Sequence, residues 1–180
     1  MLQADQIACI IEAAEKYEVP ANLLLAIAEK EGGSIGQYVG NSNGTYDVGP
    51  MQFNSGYLKM LSKYGITEAT VAAPGCFPYQ LAAWRVRGHI HNDSGDLWTR
   101  AANYHSRTAR FNQIYRADLV IKAEKWLQWL QARYPLDVRQ TRTGNPKPKT
   151  QINAKRATRL STRVSTYVPR MIWQTGKGDR

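Results

Sequence analysis

The chain has 180 residues, 43% of them hydrophobic and 21% charged, with a formal net charge of +10. That length suits one domain of ordinary size plus an appendage, with enough apolar material for a real core. No run approaches the ~18 apolar residues of a membrane-spanning helix; the longest patch, Leu23–Ala28, is too short and meets Glu29.

The charge is unevenly placed. From Arg139 to Arg180 there are eleven Lys and Arg against one acid, Asp179, so the whole excess sits in the last quarter and residues 1–138 are neutral. No basic stretch followed by an apolar run and small residues opens the chain. The expectation is either a leader removed beforehand or export by another route. Cys9 and Cys76, taken by number alone, are equally compatible with one disulfide and with two free thiols.

In chain order, the spacing predicts a helix over Asp5–Tyr17, capped at Asp5, with Ile7, Ile10, Ile11, Ala14 and Tyr17 on one face. A second helix should start near Pro20, run through Leu23–Ala28 and stop at Gly32-Gly33. Residues 33–54 then carry Gly36, Gly40, Gly44, Gly49 and Pro50 with Asn41, Asn43 and Asp47. They read as a long irregular loop with room for a short hairpin at Asn43-Gly44. Further helices are expected at about Ser55–Tyr64, Tyr79–Asn92, Asp96–Tyr104 and Thr108–Tyr134. Periodicity ends at Asn145-Pro146-Lys147-Pro148-Lys149. The expected organisation is a mainly α domain over 1–138 and a basic, flexible tail over 139–180.

Chemistry concentrates at the end of the second helix. Leu24, Ile27, Ala28 and Glu31 stand at i, i+3, i+4 and i+7 and form one stripe. A carboxyl at the end of an apolar stripe is desolvated, which raises its pKa toward what a general acid near neutrality requires. The alternative is a solvated acid just past the last core turn, and spacing alone leaves both open. Glu29 should face away from the stripe, into solvent. Asp47, before Val-Gly, reads as a turn residue, although it is the acid a two-carboxylate glycosidase would need.

Three segments resemble a known family. Val19-Pro20-Ala21-Asn22-Leu23-Leu24-Leu25-Ala26-Ile27-Ala28-Glu29-Lys30-Glu31-Gly32 is similar to a proline-led helix ending in a catalytic Glu-Ser. Asp47-Val48-Gly49-Pro50-Met51-Gln52-Phe53-Asn54 looks like a Gly-Leu-Met-Gln segment. Ala101-Ala102-Asn103-Tyr104-His105-Ser106 resembles a Tyr-Asn-Ala-Gly motif. Together, over about residues 8–123, they resemble the goose-lysozyme-like lytic transglycosylases, in the single-domain branch associated with type IV secretion and conjugation. Gly32, Pro50 and Arg107 depart from the family pattern.

The resemblance implies a lysozyme-like helical fold with Glu31 as the single catalytic acid. It gives Met51, Gln52, Tyr104 and His105 roles in packing, orientation or substrate contact. It implies a Cys9–Cys76 disulfide, and with it a periplasmic or cell-envelope setting. The implied reaction cleaves the MurNAc–GlcNAc bond of peptidoglycan and leaves 1,6-anhydro-MurNAc ends. No cofactor and no metal are expected: His89 and His91 are an i, i+2 pair facing different ways, and Ser34 and Ser106 lack a Ser-His-Asp setting.

The tail reads as a solvated extension or as an electrostatic anchor to the wall, an anionic membrane surface or envelope components of a secretion machine. Tyr167–Trp173 is a candidate docking segment within it. Tyr167 and Trp173 do not interleave with the bases, so nucleic acid is not expected as a partner, and a monomer is. Competing readings are a hydrolytic muramidase using Asp47, a wall-binding assembly subunit without turnover, and a basic nucleic-acid binder.

Overall fold

A computed structural model describes residues 2–134 of the chain. The tail 139–180, its boundary and the Tyr167–Trp173 segment lie outside the described residues.

The fold is built around one helix. In α2 (Ala21–Glu31), every residue from Ala21 to Ala28 is at most 1% exposed. A helix that is apolar all round belongs in a core rather than on a surface. Pro20 stands at its N-cap with an extended ψ of 126°, and Gly32 ends it in the left-handed region at φ 60°. That conformation costs glycine little, and it lets the Gly32 N–H close on the Ala28 carbonyl. Around α2 pack α1 (Ala4–Lys16), α5 (Phe77–Asn92) and, most extensively, α7 (Ala109–Arg133). Asn22, fully buried, locks α2 to α7 by donating Nδ2 to the Ala123 carbonyl at 3.2 Å. The short α6 (Leu97–Ala102) rests on α7, with Asp96 capping it by accepting from the Thr99 N–H.

A three-stranded antiparallel sheet interrupts the helices: β1 (Tyr38–Gly40), β2 (Tyr46–Val48) and β3 (Phe53–Asn54), in that order. Tyr38 pairs with Val48 and Asp47 with Asn54. The expected hairpin is present, with Asn43-Gly44 in its tip. Asp47 is a strand residue, not the turn residue expected: the turn falls two residues later, where Gly49 takes φ 73°. Asn54 links sheet to helix. Its Oδ1 caps α3 (Ser55–Leu61) at the Gly56 N–H, while its Nδ2 donates to Asp47.

A 3-10 turn over Ser62–Tyr64 and a five-residue helix α4 (Glu68–Ala72) complete the described elements; the sequence reading did not anticipate α4. The first helix is capped by Gln3 in a reciprocal pair with Gln6, which leaves Asp5 in the first turn rather than at the cap. A Cys9–Cys76 disulfide ties α1 to the head of α5 across 67 residues. Within this mainly α, lysozyme-like architecture no described helix is long and apolar enough to cross a membrane.

Candidate active site

The last residue of α2 is Glu31. It keeps partial access to solvent, but its carboxyl end is enclosed by protein, and the lost hydration lifts its pKa from 4.5 to about 7. Opposing that rise are a hydrogen bond from Tyr115 and the charges of Arg85 and Lys30. Tyr115, on α7, donates its hydroxyl to Glu31 Oε1 at 2.6 Å. Such a carboxyl can give a proton and take one back near neutral pH.

The turn beneath it is fixed by backbone. Met51 is fully buried, and its carbonyl accepts the Tyr104 hydroxyl at 2.9 Å. Gln52 adopts φ 48°, an uncommon conformation for a non-glycine residue, and its Nε2 donates to the Gly49 carbonyl at 2.8 Å. Gly33, two residues after the acid, lies so close that an added Cβ would collide with the Gly49 carbonyl and the Gln52 amide. The exit of α2 and the 49–52 turn therefore hold each other in place.

A third wall comes from the 103–107 segment. Tyr104 is 3% exposed, and burial raises its pKa further from the physiological range. His105 stacks on the Tyr115 ring at 4.8 Å with planes 6° apart. Burial lowers the His105 pKa, and the charge of Lys30 lowers it further. Asp93 anchors this segment to α5. It accepts from His89 Nδ1 at 2.7 Å, from Asn103 at 2.9 Å and from Arg107 at 3.0 Å. Asp47 stands in the neighbouring strand, with Asn41 and Asn54 donating to its carboxylate.

The structure thus brings Glu31, Met51, Gln52, Tyr104 and His105 together around the end of α2. Tyr104 bonds the Met51 carbonyl; the tyrosine that bonds Glu31 is Tyr115. Tyr115 and Arg85 escaped the sequence reading. Tyr115 does begin a stripe with Leu119, Ala123 and Trp126, as Glu31 ends the stripe of α2, and that parallel was a usable signal. Glu29 is not in open solvent: it accepts from Trp126 Nε1 at 2.6 Å and pairs with Lys125 at 3.3 Å. Of the two helix histidines, His89 is buried and His91 exposed.

The fold is that of a lysozyme-like domain that carries, among the described residues, one carboxyl raised well above its ordinary range. The chain belongs to the transglycosylase SLT domain family, which matches residues 8–117. Family membership implies lytic transglycosylase activity on peptidoglycan in the cell envelope. Among its relatives is the protein IpgF of Shigella flexneri, 32% identical over 126 residues, which are 64% of this chain and 82% of that protein. The invasion protein IagB of Salmonella typhimurium strain SL1344 is 30% identical over 105 residues, 56% of this chain and 63% of that protein.

Proposed function

We propose that this chain is a lytic transglycosylase whose acid and base are both Glu31. The observation that carries this reading is the enclosed Glu31 carboxyl with its pKa near 7 and its Tyr115 hydrogen bond. Protonated Glu31 gives its proton to the glycosidic oxygen between MurNAc and GlcNAc as the C1–O bond breaks. The acetamido group of MurNAc stabilises the positive charge developing at C1, which replaces the second carboxyl of an ordinary glycosidase. Ionised Glu31, steadied by the Tyr115 hydroxyl, then removes the proton of the C6 hydroxyl. That oxygen bonds to C1 and closes the 1,6-anhydro ring, with no water consumed. Met51, Gln52 and Tyr104 form the rigid floor that positions the sugar, and His105 braces Tyr115.

The setting we propose is the periplasm or cell envelope, where the Cys9–Cys76 disulfide would persist. We propose further that the chain opens the wall locally for a secretion apparatus; its relative in Salmonella typhimurium is named an invasion protein. The basic tail then serves as an anchor to anionic envelope components. Removing residues 140–180 should weaken sacculus binding and flatten its salt dependence; unchanged binding in a salt titration would rule the anchor out.

The enzymatic reading is tested by digesting purified sacculi with the chain and with Glu31→Gln, and weighing the released muropeptides. Anhydro ends that disappear in the variant are the expected result. Reducing ends would transfer the reading to a hydrolase using Asp47. Substantial turnover by Glu31→Gln would remove Glu31 from the chemistry.

A further inference from the structure

A groove of about 1010 Å³ opens along α5, and one of its lining residues, Arg85, is close enough to Glu31 for its charge to act on that carboxyl. Tyr57, Met60, Trp84, Arg85, His89 and Arg107 are among its lining residues. Two kinds of surface meet there. Trp84 is 49% exposed and Met60 64%, so both offer apolar faces to a ligand. Arg85 is half-buried, with its guanidinium over the rings of Tyr57 at 4.4 Å and Tyr104 at 4.6 Å.

The arginines of this groove differ in their partners. Arg87 pairs with Glu18 at 3.0 Å, and Arg107 with Asp93 at 3.0 Å. Asp93 is itself fully engaged by His89, Asn103 and Arg107. Among the described residues no acid lies within ion-pair distance of Arg85. A guanidinium laid on aromatic faces is oriented in advance, while its N–H edge remains suited to two parallel bonds with a carboxylate.

We infer that the α5 groove binds an acidic peptide, the carboxylate-bearing stem attached to the glycan strand, with Arg85 as the carboxylate receptor. This rests on the peptidoglycan reading above. The Tyr104 ring beneath Arg85 belongs to the side chain that holds the Met51 carbonyl under Glu31. A sugar at Glu31 and a peptide at Arg85 therefore share one wall, and the stem hangs from the very sugar whose bond is cleaved. A carboxylate on Arg85 would also cancel a charge that favours ionised Glu31. The stem would in that way help keep the acid protonated.

The test measures binding to the full chain carrying Glu31→Gln, so that it does not depend on turnover. Two ligands are titrated by calorimetry: glycan strands with intact stems, and the same strands with the stem carboxylates converted to neutral amides. The intact strands should bind about tenfold tighter, the scale of one charge-assisted pair. Adding Arg85→Gln should abolish that preference, and Arg85→Lys should restore part of it. Arg133→Gln, at the far end of α7, should leave it unchanged. Melting curves identify any variant that has failed to fold, and Arg85→Lys then carries the comparison. Equal binding of both ligands, or a preference that survives Arg85→Gln, would overturn the inference. Failure of the lytic reading would appear elsewhere, as missing anhydro ends in digests by the unaltered chain.

Discussion

The pKa of Glu31 makes stability, and not only activity, depend on pH. Its carboxyl holds a proton more tightly folded, at about 7, than unfolded, near 4.5. Raising the pH through that window strips the proton from the unfolded chain first, so stability falls between pH 4.5 and 7 and then levels off. At about 1.4 kcal/mol per tenfold change in proton affinity, the upper bound is ~3 kcal/mol. Partial access of Glu31 to water reduces this to about 2 kcal/mol. Glu31→Gln removes the titration while keeping an acceptor for the Tyr115 hydroxyl. Thermal melts at pH 4 and pH 8 provide the assay. The two proteins should melt together at pH 4, and at pH 8 the glutamine variant should melt roughly 4–8 °C higher. An equal difference at both pH values, or a glutamine variant that is the less stable at pH 8, would refute the burial argument.

Tyr115→Phe deletes a bond that favours ionised Glu31, so the pH optimum of muropeptide release should move upward while kcat/KM falls about tenfold or more; rates between pH 5 and 9 measure both. Replacing Cys9 and Cys76 together by serine frees a span of 67 residues in the unfolded chain and should cost about 4 kcal/mol. Denaturant melts of that variant, compared with the native chain with and without reductant, measure the loss.

The long helices were legible because their ends carry chemistry. Pro20 and Gly32 bracket α2, and the buried positions of α7 recur at three- and four-residue steps from Asn112 to Leu130. The five residues of α4 are too few to show a period, which is why it was missed. Glu29 shows where the argument from one apolar stripe fails. It does lie off the stripe of Leu24 and Ile27, but α2 is enclosed on every side, so facing away from one neighbour means meeting another, Trp126. The three motifs lead to the enclosed carboxyl of Glu31, the 49–52 turn and the 104–105 segment, which the fold brings together. They could not give the hydrogen-bond partner of that carboxyl, because Tyr115 lies 84 residues from Glu31 in sequence and only the packing of α7 on α2 brings the two together.

The position of Glu31 on α2 has a dynamic consequence. Local opening begins where buried contacts are few, at termini and exposed loops, and reaches central helices only with global unfolding. The amides of α2 therefore belong to the slowest-exchanging set, and the acid rides on the last element to let go. Opening at lower cost is expected of the hairpin β1–β2, whose β1 residues are exposed throughout. Heating should then leave Glu31 in place until the whole domain melts, while the strand-bearing side of the cleft loosens first.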